Sequence, residues 1–397
     1  MFEALNVLPQ DPILGLMVAY QKDTNPNKVD LGVGVYKTPQ GETPVLASVK
    51  AAEKYRLENE TTKSYIGGPG DAVFNAEMRK LALGEGHPAL LANRVASIQA
   101  PGGCGALRLG GELINRAKEG ATIWFSNPTW ANHVPLFGEA GLQLKEYPYY
   151  DRENCAVLFD DMMATLQNEA QTGDLVLLHA CCHNPCGADL NIDQWNAIAD
   201  LCVEKGLVPF VDMAYQGFGV GLEEDTKGLR LIASKVKEMF VSISCSKNFG
   251  LYRERIGMLL VIAETAHAAE AAGSQLINIA RGIWSMPPAH GAAIVATILS
   301  SEELCNQWHG EVAEMRNRIN GLRALAVEKL NAACPGHDFG FIQKQFGMFS
   351  FLGISAEQVE RLKQEFSIYM VGSSRINVAG LNDENIDYFA NSVAAVL

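Results

Sequence analysis

The sequence contains few charged residues and no long apolar run. Charged residues make up 19% of its 397 residues, and hydrophobic residues make up 48%. This composition excludes extended disorder, which requires more charge and fewer apolar side chains. The longest apolar runs, 175–182 and 258–263, have the length of strands and fall short of the roughly 18 residues of a membrane helix. No basic residue precedes Lys22, so we expect no secretory signal.

Positive charge is also scarce. The chain has 32 lysines and arginines against 45 acidic residues, which gives a net charge of −13. Such a surface repels phosphate backbones and anionic lipid, so we expect neither nucleic acid nor a membrane as a partner. A protein of this charge that uses anionic small molecules must concentrate arginines at its site. Arg281 and Arg375 both lie near turn-forming residues, and the pattern alone allows either anion binding or surface ion pairs.

Paired cysteine motifs are absent as well. The nine cysteines lack the two CxxC pairs of a zinc ribbon and any regular secreted framework. We therefore expect free thiols in a reducing, cytoplasmic environment. His179, Cys181, Cys182 and His183 are a cluster of potential metal ligands. On a strand, alternation would direct Cys182 away from His179 and Cys181, so we expect no metal site.

Short apolar runs alternate with helical stretches from about residue 95 to residue 265. Each run is followed by a loop rich in Gly, Pro, Asn or Ser and then by a helical pattern. This order is typical of βαβ units and predicts a largely parallel sheet covered by helices. A chain of this length without internal repeats supports two or three folding units.

A second, smaller α+β unit is predicted toward the C-terminus. Ser300 and Glu303 form a capping box, and an apolar repeat every three or four residues predicts one long helix after it. Alternation predicts short strands at 347–351 and 376–378. The strand-like segment 31–36 near the N-terminus can pack with this unit, which would make the smaller domain discontinuous.

Five of the predicted strands are followed directly by polar or ionisable side chains. Parallel strands place their carboxyl ends along one edge, where open α/β sheets bind ligands. We therefore expect these side chains to converge at one site. The segments are PGGCG at 101–105, SNPTW at 126–130, His183 with Asn184 and Pro185, Asp212 with Tyr215, and Ser244 with Ser246 and Lys247.

Each candidate in this set also has a purely structural explanation. The glycine loop at 101–108 could hold a phosphate on its backbone N–H groups, and an ordinary tight turn is an equal alternative. Lys247 could form a Schiff base if it is buried beside Ser244, whereas most lysines are solvated. Asp212 could hold a cofactor nitrogen or cap a helix. Arg255 could bind a phosphate or lie in a surface turn.

The segment SCSKNFGLYRERIG at 244–257 closely resembles the lysine segment of the aspartate aminotransferase family, whose members are pyridoxal-phosphate enzymes of fold type I. The likeness extends across nearly the whole chain, and motifs in this order are more specific than any one alone. Within the family the sequence resembles the bacterial aspartate and aromatic amino acid aminotransferases. The further motifs are LGVGVYK at 31–37, SNPTW at 126–130, HNP at 183–185, DMAYQGF at 212–218, PPAHG at 287–291 and SRINVAG at 374–380.

The resemblance implies pyridoxal 5'-phosphate as the cofactor. Lys247 would bind it as a Schiff base and move a proton between the substrate Cα and the cofactor C4′. Asp212 would pair with the ring nitrogen, His133 would support Asp212, and Trp130 would stack on the ring. Tyr65 from a neighbouring subunit would join Lys247 and Asp212 as a catalytic residue. The other implied cofactor contacts are Asn184 and Tyr215 at the phenolic oxygen, and Gly102, Gly103, Cys104, Ser244, Arg255 and Tyr65 around the phosphate.

The resemblance also implies a substrate site that two subunits share. Arg375 would bind the substrate α-carboxylate in bidentate fashion, with Trp130, Asn184 and the Gly34 backbone nearby. Arg281 of the neighbouring subunit would bind the distal carboxylate. The implied assembly is a homodimer with shared active sites that acts on amino acids and 2-oxo acids without a metal.

Four residues depart from the family pattern. Cys104 stands where a phosphate-loop Thr or Ser is usual, and Cys186 stands where HNPTG is usual. A thiol is a weaker donor than a hydroxyl, so we expect looser cofactor binding. Trp284 and Met286 replace the more common Tyr and Asn close to Arg281. This exchange makes the distal pocket more apolar and favours acceptance of aromatic substrates.

The predicted protein is therefore an α/β enzyme of the pyridoxal-phosphate-dependent transferase fold type I. Residues 44–311 would form a large domain with a mostly parallel seven-stranded sheet between helices, 13–43 and 312–397 a smaller discontinuous α+β domain, and 1–12 an N-terminal arm. The predicted reaction moves the amino group of L-aspartate, with aromatic amino acids as further donors, to 2-oxoglutarate by a ping-pong mechanism. The products would be oxaloacetate and L-glutamate. The alternatives are tyrosine and phenylalanine as main donors, a nucleotide-dependent oxidoreductase, which would need a GxGxxG turn, and a non-catalytic binding protein.

Overall fold

Helices and strands alternate along most of the chain in the computed structural model, which describes residues 1–8 and 12–397. The α-helices are α1 (Pro12–Lys22), α2 (Ala47–Asn59), α3 (Ala72–Leu83), α4 (Pro88–Leu91), α5 (Gly102–Ala117), α6 (His133–Gly138), α7 (Phe159–Glu169), α8 (Ile192–Lys205), α9 (Lys227–Lys235), α10 (Ala266–Ile283), α11 (Ala289–Ser300), α12 (Glu302–Ala333), α13 (Phe341–Lys344), α14 (Ala356–Phe366) and α15 (Ile386–Val396). The strands are β1 (Val29–Asp30), β2 (Val95–Pro101), β3 (Thr122–Asn127), β4 (Gln143–Pro148), β5 (Tyr150–Asp151), β6 (Ala156–Val157), β7 (Leu175–His179), β8 (Val208–Met213), β9 (Met239–Ser244), β10 (Ile256–Ile262), β11 (Phe349–Phe351), β12 (Ile368–Tyr369) and β13 (Arg375–Asn377). Short 3₁₀ helices lie at Phe2–Ala4, Glu224–Thr226 and Val378–Gly380.

A seven-stranded sheet forms the centre of the larger unit. Its strand order is β2-β10-β9-β8-β7-β3-β4. Strand β10 is antiparallel to both of its neighbours, and the other strands of the sheet all run in one direction. Their carboxyl ends therefore lie along one edge, together with the beginning of β10. The predicted α/β fold with a mostly parallel sheet is confirmed.

The middle strands are apolar along their length because helices cover both faces of the sheet. Every residue of β10 is buried, and so is every residue of β8 after its first. One core beside the sheet contains side chains of α5 and α10, and another contains side chains of α8, α9 and α11. The sheet is thus held between two packed layers and gives the loops at its edge a firm base.

A smaller unit is built around the second half of α12. Leu322 and Leu330 of this helix share a core with side chains of α14 and α15, whereas Trp308 near its start belongs to the core of the larger unit. Strand β1 pairs with β12, and β11 pairs with β13. Val29 and Leu31 lie in the second core, so an N-terminal segment packs with the C-terminal unit. The domain boundaries themselves stay predictions.

Two local predictions differ from the structure. The N-cap of α12 is Ser301 rather than Ser300, because the Ser301 hydroxyl accepts a backbone N–H from the first turn. Residues 31–36 are not a strand. The Asp30 side chain accepts the backbone N–H groups of Gly32 and Val33 and turns the chain there. A short-range side-chain bond thus overrides the alternating apolar pattern.

The first residues of the chain lie open to solvent. Residues 1–8 are all exposed, including the apolar side chains of Phe2, Leu5 and Val7. Residues 9–11 of the predicted N-terminal arm lie outside the described residues. In the described ranges, 1–8 and 12–397, we find no helix that combines the length and the apolar character needed to cross a membrane.

Candidate active site

A cavity of ≈ 250 Å³ opens at the carboxyl edge of the central sheet. Side chains from the ends of several strands line it, and the smaller unit contributes one wall. The side chains that follow the five strands therefore meet at one place, as the parallel-strand argument predicts. The residues singled out from the sequence that line it are Gly34, Gly103, Cys104, Trp130, His179, Cys181, Asn184, Asp212, Tyr215, Ser244, Ser246, Lys247, Arg255 and Arg375.

Lys247 reaches the cavity from the turn after β9 and is half-buried. Its Nζ lies 4.8 Å from the centroid of the Tyr215 ring. Burial lowers the pKa of Lys247, although the charge of Asp212 acts in the opposite direction. Within residues 1–8 and 12–397 no hydrogen bond or ion pair holds this Nζ. An amine whose neutral form is favoured and whose nitrogen is unbonded is suited to attack a carbonyl carbon.

Asp212 is a buried carboxylate that a histidine holds. It lies one residue before the end of β8, and its Oδ2 is 3.1 Å from His133 Nε2. Burial opposes its ionisation, but the hydrogen bond and the charge of His133 prevail, so the pKa of Asp212 is lowered. Thr129 Oγ1 lies 2.8 Å from His133 Nδ1 and 3.2 Å from His179 Nε2. Both nitrogens of His133 are therefore engaged, and a negative charge faces the cavity at a fixed position.

Several groups that can donate hydrogen bonds to an anion lie at the start of α5. Gly102 has a φ of +72°, and a Cβ there would lie 2.2 Å from an Arg255 nitrogen. Glycine therefore lets the guanidinium approach the N-terminus of the helix. A Cβ at Gly103 would lie 3.2 Å from Ser244 Cβ, and the Ser244 and Ser246 hydroxyls are 3.1 Å apart. A guanidinium, two hydroxyls and the first N–H groups of a helix are the donors that bind a phosphate.

Arg375 is a buried guanidinium without an acidic partner among the described residues. Its Nη1 is 3.3 Å from Asn184 Oδ1, and its Nη2 donates to the Gly32 carbonyl at 2.8 Å. The Phe349 ring lies 4.4 Å from the guanidinium carbon. Gly34 is needed beside this ring, because a Cβ there would lie 2.7 Å from Phe349 Cζ. Arg375 Nε is buried and has no partner within residues 1–8 and 12–397, so the group has donors left for an anion.

Two of the residues that depart from the family pattern lie close to these groups. Cys104 lines the cavity from the first turn of α5, and its Sγ accepts a hydrogen bond from Asn132 Nδ2 at 3.5 Å. Cys186 does not line the cavity. Its buried Sγ lies 3.1 Å from His183 Nδ1. Cys104 can therefore affect a bound phosphate directly, whereas Cys186 can act only through its neighbours.

Tyr65 and Arg281 lie away from the cavity of their own chain. Tyr65 is 92% exposed, and Arg281 is exposed in the last turn of α10, next to Gly282. Neither side chain has a hydrogen bond or an ion pair within the described part of the chain. Trp284 follows α10, and its Nε1 is buried without a partner in those same residues. The roles assigned to Tyr65 and Arg281 in a neighbouring subunit stay predictions.

The sequence did not single out two aromatic residues that line the cavity. The Tyr252 hydroxyl accepts the backbone N–H of Tyr36 at 2.9 Å, and Phe349 lies against Arg375. An aromatic side chain next to an apolar run is usually part of a core, so its residue type carries no functional signal. The pairing of β11 with β13, which brings Phe349 near Arg375, is seen only in the structure.

A cluster of potential metal ligands lies beside the cavity. The ligand atoms of Cys181, Cys182 and Asp225 all lie within 4.8 Å of one another. Strand β7 ends at His179, so the alternation argument used above does not apply to the two cysteines. The pKa of Cys181 is raised by its hydrogen bond with Cys182 and by burial, and burial raises the pKa of Cys182 to about 11. Asp225 already accepts four backbone N–H groups from 217–221. Protonated thiols and an occupied carboxylate are poor ligands, and the absence of a metal stays a prediction.

The groups around the cavity fit pyridoxal phosphate. Glycine at position 102 lets Arg255 approach the start of α5, where its guanidinium, the Ser244 and Ser246 hydroxyls and the first N–H groups of the helix would hold the phosphate. Lys247 would supply the amine for its aldehyde, and the ionised Asp212 would face its ring nitrogen. Arg375, with its unbonded Nε, would remain for the carboxylate of a second molecule. One cationic, one anionic and one nucleophilic group are thus available for the three reactive parts of this cofactor.

Known aminotransferases resemble this chain over nearly its whole length. The family model described as aminotransferase class I and II matches residues 26–393. The aspartate aminotransferase of Escherichia coli (strain K12) is 47% identical over 397 residues, which cover 100% of both chains. An aromatic-amino-acid aminotransferase of Pseudomonas aeruginosa is 50% identical over 389 residues, covering 98% of this chain and 97% of the relative. The crystal structure of an aromatic-amino-acid aminotransferase from Burkholderia pseudomallei, covalently bound to pyridoxal phosphate, superposes with a TM-score of 0.98 at 46% identity, covering 100% of this chain and 99% of that chain.

Proposed function

The chain belongs to the class I and II aminotransferases, and on that basis we propose that it moves the amino group of L-aspartate and of aromatic amino acids to 2-oxoglutarate. The protein is a pyridoxal-phosphate-dependent transaminase, and the proposal concerns its substrates, its ping-pong order and the roles of its residues. The observation that carries the proposal is that one cavity holds both Lys247, with its pKa lowered, and the buried Arg375, with an unbonded Nε. Such a site offers an amine nucleophile next to a carboxylate-binding cation.

Asp212 and His133 act together on the ring nitrogen. Bound pyridoxal phosphate supplies an aldehyde that condenses with amines and a protonated ring that accepts electrons from the substrate Cα. The lowered pKa of Asp212 keeps its carboxylate charged, and this charge favours a proton on the neighbouring nitrogen. His133 donates to Asp212 Oδ2 and prevents the carboxylate from rotating away. Loss of this pair would leave the nitrogen neutral in the same cavity.

Lys247 serves as the base. Once substrate has released it, its amine removes the proton from the substrate Cα, and it later returns a proton to complete the transfer. Burial lowers its pKa and so increases the neutral fraction that can accept this proton. The Tyr215 ring, 4.8 Å away, limits where the amine can move. One side chain can therefore act in both half-reactions of a ping-pong cycle.

Arg375 orients the substrate by its α-carboxylate. Asn184 Oδ1 and the Gly32 carbonyl fix the guanidinium, and the Phe349 ring covers one of its faces. The plane of the guanidinium is thereby set before substrate arrives, which favours bidentate binding of a carboxylate. A carboxylate held there would direct the substrate Cα toward Lys247.

A second copy of the chain would supply Arg281 to the distal group of the substrate and Tyr65 to the cofactor phosphate. Arg281 and Tyr65 are exposed and do not line the cavity of their own chain. In a homodimer with shared active sites these two side chains would complete the partner's cavity. The apolar Trp284 and Met286 near Arg281 favour the second candidate function, in which tyrosine and phenylalanine are the main donors. The match to aminotransferases over 26–393 favours transamination over the oxidoreductase and binding-only alternatives.

A lysine-trapping experiment tests the central assignment. The purified protein should be yellow, and borohydride should fix the cofactor to the chain. Lys247→Ala should lose this linkage and nearly all turnover, whereas Lys227→Ala, at an exposed lysine of α9, should keep both. Peptide mapping of the trapped cofactor identifies the residue that carries it. Unchanged trapping in Lys247→Ala would refute the assignment.

Steady-state kinetics decide between the two substrate classes. Aspartate, tyrosine and phenylalanine are compared as donors with 2-oxoglutarate as the acceptor. A larger kcat/KM for aspartate supports the main proposal, and a larger value for the aromatic donors supports the second candidate. Intersecting rather than parallel lines in double-reciprocal plots would contradict the ping-pong order.

A further inference from the structure

A fully buried arginine lies behind the cavity. Arg323, in the middle of α12, is 1% exposed and forms no ion pair with another described residue. Its donors all go to backbone carbonyls. Nε donates to Gly347 at 2.9 Å and Nη1 to Ile342 at 2.8 Å. Nη2 donates to Phe346 at 3.0 Å and to Phe349 at 2.5 Å. One guanidinium thus holds the whole turn between α13 and β11.

This turn leads directly into the carboxylate-binding wall of the cavity. Phe349 begins β11, its carbonyl accepts from Arg323, and its ring packs against Arg375. Strand β11 also pairs with β13, in a register that sets Phe351 opposite Arg375. The position of Arg375 therefore depends on the position of the turn.

The same turn contacts the loop that carries Asn184. The Phe346 N–H donates to the Gly187 carbonyl at 2.8 Å. A Cβ on Gly187 would lie 2.4 Å from the Phe349 carbonyl oxygen and 3.0 Å from Arg323 Nη2. The two segments approach so closely that only glycine fits between them. Arg323 thus lies at the contact between the 342–349 turn, which packs against Arg375, and the 182–187 loop, which carries Asn184.

A half-buried carboxyl group, that of Asp189, lies on the other side of this contact. Asp189 accepts the backbone N–H groups of Cys182 at 2.6 Å and His183 at 2.8 Å, directly before Asn184. Burial raises the pKa of Asp189 to about 7, and the positive charge of Arg323 acts in the opposite direction. The Asp189 carboxyl group thus accepts amide groups of one segment, and the Arg323 guanidinium donates to carbonyls of the other, so a side chain on each side holds its segment at the contact.

We propose that Arg323 is a positioning residue for the substrate α-carboxylate: by holding the 342–349 turn against the 182–187 loop, it sets the distance between Asn184 and Arg375. The inference rests on the proposed function, in which Arg375 binds that carboxylate. Lysine cannot take the place of Arg323, because one ammonium group cannot reach four carbonyls that are arranged around a planar fork. A small displacement of the carboxylate is enough to misalign the substrate Cα relative to Lys247.

The test compares substrates with and without an α-carboxylate on the holoenzyme. Single-turnover reactions with phenylalanine, aspartate and 2-phenylethylamine are followed by the absorbance of the bound cofactor. In Arg323→Lys and Arg323→Gln we expect kcat/KM for both amino acids to fall by the same factor, about 10- to 100-fold and mainly through KM. The slow reaction of 2-phenylethylamine should change little. Arg230→Lys is the matched control, since Arg230 also donates to backbone carbonyls, those of Leu81 and Ala82, away from the cavity.

The outcomes separate a positioning role from general damage. Equal losses for phenylalanine and 2-phenylethylamine, or no loss for either, would overturn the role of Arg323. A lower thermal midpoint with unchanged selectivity for the carboxylate would overturn it as well. Arg375→Lys tests the premise. If this change leaves the ratio of phenylalanine to 2-phenylethylamine rates unaltered, the proposed function of Arg375 fails together with the inference. If that ratio falls in Arg375→Lys but not in the Arg323 variants, only the inference fails.

Discussion

The floor of the cavity and its proposed rim differ in how completely one chain builds them. The floor consists of Asp212, Lys247 and Arg375, which are buried or half-buried among groups of their own chain. The rim consists of Tyr65 and Arg281, which are exposed and have no partner among the described residues. A single chain therefore forms the groups that fit the cofactor and the α-carboxylate. It does not form the proposed contacts of Arg281 with the distal group and of Tyr65 with the cofactor phosphate.

The elements from which these side chains start explain the difference. Asp212 and Arg375 belong to strands whose backbone pairing fixes their positions, and Lys247 follows such a strand. Tyr65 lies in an irregular segment between α2 and α3, and Arg281 lies in the last turn of a helix. Strand ends give accurate placement, whereas loops and helix ends need an external surface to hold them. On the proposed dimer, this surface is a second copy of the chain.

The largest effect is expected when the fixed negative charge of Asp212 is removed from the cavity floor. Asp212→Ala should slow proton removal from the substrate by about 10³-fold or more, each tenfold being about 1.4 kcal/mol of barrier, because the ring nitrogen loses its counter-charge. Single-turnover rates with aspartate measure this loss. Asp174→Asn is the matched control, since Asp174 is also a buried acid, bonded to Trp124 Nε1 at 3.0 Å and remote from the cavity. Near-normal rates in Asp212→Ala would contradict the role of the charge.

Loss of the rim residue Arg281 should lower the kcat/KM for aspartate more than that for phenylalanine. Arg281→Ala should lower kcat/KM for aspartate by about 10- to 100-fold, because a distal carboxylate would lose its charged hydrogen bonds. Phenylalanine, which has no distal carboxylate, should lose much less. Arg116→Ala serves as the control. Arg116 is an exposed arginine of α5 that donates to Gln275 and Asn278 of α10, the helix that carries Arg281. Equal losses for both donors would show that the distal carboxylate binds elsewhere.

Mixing two defective variants tests whether the rim comes from a second chain. Lys247→Ala lacks the base and Arg281→Ala lacks the distal arginine, but a hybrid dimer would contain one site with both residues. Exchange of subunits at equal amounts should restore about a quarter of the wild-type aspartate activity, since half of the dimers are hybrids with one intact site each. Activity after mixing is compared with that of each variant alone. No recovery, with exchange verified by mass tags, would place Arg281 and Lys247 in the same chain's site.

The sequence predicts the floor residues of the cavity much better than the aromatic residues that line its walls. Because parallel strands share a direction, the residues after five apolar runs had to meet at one edge, and Asp212, Lys247 and Asn184 do line one cavity. The contact of Phe349 with Arg375 was not predictable in this way, because it depends on the packing of the smaller unit against the larger one. The failed strand at 31–36 has a related cause. The alternating apolar pattern is present in the sequence, but the hydrogen bonds that the Asp30 side chain accepts from Gly32 and Val33 set the backbone conformation.

The smallest expected effect concerns Cys104, a residue of the cavity wall that departs from the family pattern. Cys104 lines the cavity at the start of α5, and the one hydrogen bond that its Sγ receives from the described residues is the long one from Asn132 Nδ2 at 3.5 Å. A hydroxyl there would donate more strongly to a phosphate, so Cys104→Ser should tighten cofactor binding about two- to fivefold, equivalent to roughly 0.4–1 kcal/mol. Titration of the apoenzyme with pyridoxal phosphate measures the change. Cys155→Ser, at a cysteine outside the cavity, should leave the affinity unaltered. Weaker binding in Cys104→Ser would mean that the thiol supports the phosphate site by packing rather than by hydrogen bonding. Cofactor affinity at this position would then depend more on the shape of the side chain than on its strength as a donor.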